Sequence, residues 1–336
     1  MSLSTFAKIP VPELELEHQM HYADSIVSVT KLREPSVSKE LKSRLHRRVL
    51  ELRLNPQNIE ILNSYDFVAK VCTFGVSNHS TTCSHQNRWW IFASISVIFL
   101  FEFDDQFDKP LLLSPENIAS LSKKMRGVLR SLSGHKLSGL QGNLEDWPAE
   151  VVGKEAYLWL LREAEDLREG AAELVQDLFV DYCYGTEEEI IEWQPDAYRG
   201  DYTAWNLDRY NEVRKRSAGL TFVSVGPLFV AHKWIQKKHV VTCTDLLYEA
   251  TIVIALANDI LGVNRDRDDR LCVTSLKLSS CSEVVQYHNE LVEVLHKKVL
   301  ELEGNTRRFM EEVEASVVGL FLWQCRSKRY AVVFEC

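Results

Sequence analysis

The chain has 336 residues, 46% of them hydrophobic, and carries 48 acidic against 39 basic residues for a net charge of −9. That length fits one large or two modest domains, and the hydrophobic fraction is enough to bury a sizeable core. The acidic balance argues against nonspecific nucleic-acid binding, which needs a basic footprint, and it leaves carboxylates to spare for cations.

The start, MSLSTFAKIPVPELELEHQM, has no charged region followed by an apolar one, so it does not read as a signal peptide. Residues 1–20 are expected to form a flexible or capping segment ahead of the folded body. Helices are predicted at 37–53, 57–74, 88–108, 115–132, 152–179, 204–238, 244–264, 280–313 and 315–333, where apolar residues recur at helical spacing. Breaks are predicted at 76–87, 133–148 and 192–201, and the piece NRDRDDRLCVTS at 264–275 reads as a loop after a helix end. The longest apolar run, WWIFASISVIFLF at 89–101, has 13 residues. A bilayer crossing needs roughly 20, so this run reads as a buried core helix and no membrane insertion is expected.

Strand signals are weak, and no repeat, low-complexity tract or composition shift marks a boundary. The expectation is a single all-α domain over 1–336, a helical bundle with a large interior. Helical patterning suits a buried cavity, because residues four apart present one face inward. The eight cysteines (Cys72, Cys83, Cys183, Cys243, Cys272, Cys281, Cys325 and Cys336) are scattered, with no CxxC and no zinc spacing. They read as reduced thiols of a cytoplasmic protein. The ten histidines form no HxH or HxxxH pair and read as surface or core residues.

Two polar clusters interrupt the apolar pattern. In Phe103-Asp104-Asp105-Gln106-Phe107-Asp108-Lys109-Pro110, Asp104 and Asp108 share a helix face while Asp105 is turned away. Pro110 ends the helix, so three carboxylates occupy its last turns, where the macrodipole already disfavours negative charge. A divalent cation bound through carboxylate oxygens would compensate, and Mg²⁺ typically takes one or two carboxylates plus substrate phosphates. The same residues also suit a solvated acidic helix end. In the second cluster, TIVIALANDILGVNRD at 251–266, Asn258, Gly262 and Asp266 lie four apart on one face, with Arg265 bordering it. The amide and carboxylate suit one metal, and the guanidinium suits a phosphate oxygen. A mid-helix glycine costs about 1 kcal/mol relative to alanine, which gives Gly262 a local reason to exist: close approach of backbone, metal or water. The alternative is a turn at Asn258-Asp259 followed by a solvated charge run.

In this order, the two clusters resemble the metal motifs of class I terpene synthases. The first resembles the aspartate-rich DDxxD motif. The second resembles (N/D)DxxSxxxE, with Gly262 where Ser or Thr is usual and Asp266 where Glu is usual. Arg214 in NEVRKRSAGLTF, 44 residues before Asn258, resembles the diphosphate-sensing arginine, with Ser217 and Ala218 at the linker and effector positions of a helix break. Near the C-terminus, the Arg329-Tyr330 pair after Trp323 resembles the pair that closes over the diphosphate. The likeness spans residues 100–330 or so and is closer to the bacterial and fungal single-domain type.

This resemblance implies an antiparallel helical bundle, the class I terpenoid synthase fold, around a central apolar active-site cavity. It implies three Mg²⁺ ions, with Mn²⁺ as a substitute: Asp104, Asp108 and Asp105 on one side, and Asn258, Gly262 (through a water) and Asp266 on the other. Arg214, Arg265, Arg329 and Tyr330 would donate to the diphosphate, with Arg214, Arg329 and Tyr330 in catalytic roles. Phe67, Phe101, Phe222 and Trp323 would line the pocket, although ordinary core packing accounts for such rings equally well. The implied reaction releases inorganic pyrophosphate from a prenyl diphosphate, farnesyl diphosphate first, and gives a sesquiterpene hydrocarbon or alcohol. The C10 and C20 substrates are alternatives, as are a chain-elongating prenyltransferase and a catalytically impaired scaffold. A monomer or homodimer is expected.

Overall fold

The computed structural model describes residues 38–61, 83–108, 114–134, 144, 146–266 and 274–326. Among them the chain is helical and contains no strand. Helices α1 (Lys39–Glu51) and α2 (Gln57–Ile61) precede α3 (Cys83–Asp108) and α4 (Pro115–Gly134). Next come α5 (Lys154–Leu167) and α6 (Ala171–Glu188), which runs through a π turn (Glu189–Trp193) into α7 (Gln194–Arg199). Helix α8 (Leu207–Ser217) is followed by a second π turn (Thr221–Val225), α9 (Gly226–Ala231) and α10 (Lys237–Thr242). The chain continues with α11 (Thr244–Asp266), a 3₁₀ turn (Ser275–Lys277), α12 (Cys281–Glu301) and α13 (Gly304–Arg326).

Two of these helices are apolar on every side, and that makes them central rather than peripheral. Every residue from 89 to 100 in α3 is buried, and so is every residue from 250 to 257 in α11. Helix α3 is flanked by α1, α5 and α9, while α11 packs against α8, α12 and α13. Helix α6 joins the two halves, lying against α4, α5 and α8. No helix of the described residues is long and apolar enough to cross a membrane.

The contact between α6 and α8 depends on Gly185. A Cβ there would stand 2.5 Å from both Arg216 Cβ and the Ser217 backbone nitrogen. Hydrogen alone allows the two backbones to come this close, and the approach brings the next turn of α6 onto the end of α8. Asn206 caps α8 by accepting from the Arg209 N–H at 2.9 Å. The helix stops at Ser217, and Gly219 turns the chain with φ +70°, its α-carbon pressed on Leu100 of α3.

Several sequence-based boundaries are corrected. The helix predicted over 152–179 is two helices. Arg168 is extended (φ −157°, ψ 122°), and the Glu165 carboxylate accepts from the N–H groups of Gly170 and Ala172 at 2.9 and 3.2 Å. The single helix predicted over 204–238 is four pieces, and the break predicted at 192–201 is mostly helical. Both π turns directly precede a proline-bearing helix start, Gln194-Pro195 and Gly226-Pro227. Proline offers no N–H to the carbonyl four residues back and crowds it, so the preceding turn widens to the π register. The predicted division at 314 lies instead at Leu302–Glu303, where Leu302 leaves the helical region at ψ 162°. Helix α3 starts at Cys83, earlier than the predicted 88. Of the helix predicted over 57–74, only 57–61 falls within the described residues.

Two measurements test this packing. Gly185→Ala should destabilise the protein by about 1–3 kcal/mol, the usual cost of overpacking, read as a lower urea midpoint at unchanged slope. The second concerns His288, which is fully enclosed in α12. Burial pushes its imidazole down from an ordinary 6.5 to about 4. As pH falls below 6.5 the unfolded chain takes up a proton that the folded chain refuses until about 4. Its contribution is therefore intact above that window and lost as pH falls through it. His288→Gln should flatten the decline of urea-unfolding free energy between those two pH values.

Candidate active site

The acidic end of α3 has no basic residue in its last turn, so its carboxylates are answered from other helices. Tyr182 of α6 donates its hydroxyl to Asp104 Oδ1. Asp105 is half-buried. Asp108 ends the helix, and its side chain lies outside the described residues.

Two turns beyond Tyr182, Glu189 begins the first π turn and is 4% exposed. Its Oε1 accepts from Arg214 Nη1 at 2.7 Å and from the Ser217 hydroxyl. Arg214 and Glu189 are thus a buried ion pair between α6 and α8, set by the close approach at Gly185. One turn earlier on the same face of α8, Tyr210 donates to Asp259 Oδ2 of α11 at 2.7 Å. The Ser275 N–H and hydroxyl donate to the same oxygen at 2.7 and 2.8 Å. Burial works against the charge on Arg214, but Glu189, Tyr210 and Asp259 outweigh it and hold its pKa well above the ordinary value. Burial also pushes the Asp259 carboxyl up, opposed chiefly by Arg214.

Asn258 sits beside Asp259 on α11. Its Oδ1 is buried and accepts no hydrogen bond, and the Arg214 Nε is likewise buried without an acceptor. Buried polar atoms are rarely left unpaired, so each asks what would satisfy it. Gly262, one turn on, is buried. Arg265 and Asp266 end α11, with side chains outside the described residues. Phe67, Arg329 and Tyr330 also lie outside them.

The ring-bearing candidates separate into two places. Phe222, 1% exposed, lies among core rings, with centroids 5.4 Å from Phe179 and 6.0 Å from Phe99. Phe101 of α3 meets Trp323 of α13 at 6.2 Å. The predicted helix break is present: Ala218 closes α8 and Gly219 turns the chain.

No protein-family model and no curated sequence matches the chain; the likeness to known proteins lies in three dimensions. A 2-methylisoborneol synthase from Streptomyces coelicolor A3(2), in complex with Mg²⁺ and 2-fluoroneryl diphosphate, superposes with a TM-score of 0.68 at 14% identity, over 96% of this chain and 95% of that one. A cucumene synthase variant superposes with a TM-score of 0.62 at 14% identity, covering 87% and 95%. Germacradien-4-ol synthase from Streptomyces citricolor gives 0.55 at 16% identity, covering 85% and 93%. The chain has the class I terpene synthase fold.

Asp104 offers a carboxylate and Asn258 an amide oxygen that accepts no hydrogen bond, both donor types that a hard divalent cation takes. Among the described residues no group of three or more His, Cys, Asp or Glu side chains is placed to hold a metal. The acids that would complete each set, Asp108 and Asp266, have side chains outside that description.

Sequence reasoning missed Glu189, Tyr182, Tyr210, Asp259 and Ser275. Asp259 left a signal, since a carboxylate on an otherwise apolar helix must be buried and paired. Glu189 left none, because it follows two other glutamates. Removing one partner of a buried ion pair strands the other charge, at about 3–5 kcal/mol. Glu189→Ala should lose stability on that scale in urea unfolding, and adding Arg214→Met should restore a substantial part of it, giving a favourable coupling in the double-mutant cycle.

Proposed function

We propose that the protein is a magnesium-dependent terpene synthase that ionises a prenyl diphosphate, farnesyl diphosphate first, and releases inorganic diphosphate while the carbocation cyclises. The observation that carries this reading is the pair of orphaned buried atoms, Asn258 Oδ1 and Arg214 Nε, on helices of a class I fold. One atom seeks a cation and the other an anion.

In this reading Asp104, with Asp105 and Asp108, would hold Mg²⁺ at the end of α3. Asn258 and Asp266 would hold it on the C-terminal part of α11, with water in place of the oxygen that Gly262 lacks. Bound there, Mg²⁺ would neutralise charge on the departing diphosphate. Arg214 is preset by Glu189 and keeps its full charge. It donates to the leaving group together with Arg265, Arg329 and Tyr330, and donors fixed in advance favour charge that develops as the bond breaks. Ser217, bonded to Glu189, and Ala218 tie the helix break to the same charge network. No nucleophilic side chain is required. Phe101, Trp323, Phe222 and Phe67 offer ring faces that exclude water and stabilise a cation, by about 0.5–2 kcal/mol each.

Incubation with the C10, C15 and C20 diphosphates and Mg²⁺, followed by gas chromatography with mass detection, tests the proposal. A cyclic or linear C15 product with release of inorganic diphosphate is expected. Asp104→Ala should lower that turnover by at least about a hundredfold, about 2.7 kcal/mol of barrier. No turnover of any of the three with Mg²⁺ or Mn²⁺ would sink the reading. A longer prenyl diphosphate formed on adding isopentenyl diphosphate would replace it with chain elongation.

A further inference from the structure

A second concentration of charge lies away from these residues. Helices α1, α3 and α5 enclose a cleft of roughly 230 Å³ lined by Arg44, Arg47, Arg48 and Arg88, with Trp159, Ile91, Glu51 and Glu163 completing its wall. Four guanidiniums around one hollow are notable on a chain of net charge −9.

Their pairing is incomplete. Arg48 meets Glu51 at 2.7 Å, and Arg88 meets Glu163 at 2.8 Å and Asp166 at 3.4 Å. Among the described residues, Arg44 and Arg47 are exposed and have no carboxylate partner. Three arginines within five positions of one helix place like charges three and four residues apart, where they repel, and Glu40 and Glu51, four residues from Arg44 and Arg47, offset part of this. An anion in the hollow would relieve the rest.

The cleft also has a rigid floor. Trp159 is 9% exposed and Ile91 8%, and the Arg48 guanidinium lies 5.3 Å from the Trp159 ring centre. Glu163 and Asp166, one turn apart on α5, engage the Arg88 Nε and Nη2, so its guanidinium is oriented before any ligand arrives. Arginine forks match phosphate oxygens two at a time.

We propose that this cleft is a binding site for a phosphate-class polyanion, a diphosphate in particular, held by Arg44, Arg47, Arg48 and Arg88 over Trp159. It is separate from the candidate active site. Arg88 and Asp104 lie 16 residues apart on the same helix, which is about 24 Å along its axis. The diphosphate could be inorganic or attached to a hydrocarbon, since Ile91 and Trp159 offer an apolar flank. The inference does not rest on the proposed reaction.

Calorimetric titration of the full chain with inorganic diphosphate, in a magnesium-free buffer containing chelator at low salt, tests it. One equivalent should bind, and the double variant Arg44→Gln/Arg47→Gln should weaken that binding by about tenfold or more. Both residues are exposed, and an unchanged urea midpoint would show that the variant folds. Absence of binding to the wild type overturns the proposal. So does a loss below about threefold in the double variant, which would place the anion elsewhere, or equal binding of sulfate, which would reduce the effect to general charge screening. In a parallel arm with an alkyl diphosphate, tighter binding than the inorganic ion that the double variant also weakens about tenfold assigns the organic source, and equal or weaker binding, or tighter binding that the double variant leaves unchanged, assigns the free ion to the cleft. Because no turnover is read, failure here leaves the proposed reaction untouched, and failure of the reaction leaves this site standing.

Discussion

Arg214 carries a full charge where water scarcely reaches, and three helices are arranged around that fact. Taking a guanidinium and a carboxylate out of water costs several kcal/mol per ion before any attraction is counted. The cost is offset here by position. Glu189 comes from the π turn after α6, Asp259 from α11, and Tyr210 from one turn earlier on α8 itself. Each of these three is in turn engaged: Glu189 accepts from Ser217, and Asp259 accepts from Tyr210 and Ser275. A hydrophobic substitute of the same shape could hold the helices together as well or better. What it could not do is present a fixed positive charge beside an open hydrogen-bond donor.

The close approach at Gly185 lies one turn before this charge network. A single residue without a Cβ supplies the space that lets the backbones of α6 and α8 meet there. One turn later the first π turn rotates Glu189 inward. The widened register that places it is set by Pro195, a residue with no contact to the charge itself. Local backbone chemistry and site electrostatics are therefore one construction.

How much of this was legible in the sequence depended on whether a residue's type or its surroundings carried the information. Asp104 and Asn258 stood out because polar groups that follow long apolar runs are out of place, and the spacing of such groups is preserved along a regular helix. Glu189 could not, because Glu187, Glu188 and Glu189 are the same letter with three destinations. Glu187 reaches Arg126 near the surface, Glu188 reaches Arg216, and only Glu189 turns inward. The period of 3.6 located the helices but merged those on either side of the second π turn and of extended residues such as Arg168 and Leu302. Pro195 and Pro227 were visible, but their effect on the turn before them depends on whether the chain resumes its helix afterwards, which is a matter of packing.

The two orphaned atoms make the resting arrangement a poised one. Asn258 Oδ1 lacks a donor or cation, and Arg214 Nε lacks an acceptor. A metal ion alone would satisfy the first and add positive charge near a guanidinium. An anion alone would satisfy the second and be repelled by Glu189 and Asp259. A cation and a polyanion arriving together meet both needs, and each lowers the electrostatic cost of the other. On the proposed reading, the same coupling makes ionisation follow assembly: the leaving group is stabilised only when the charges of both sets are in place. On that reading, a site built around a buried, already paired arginine would favour the metal–diphosphate complex over either component by itself.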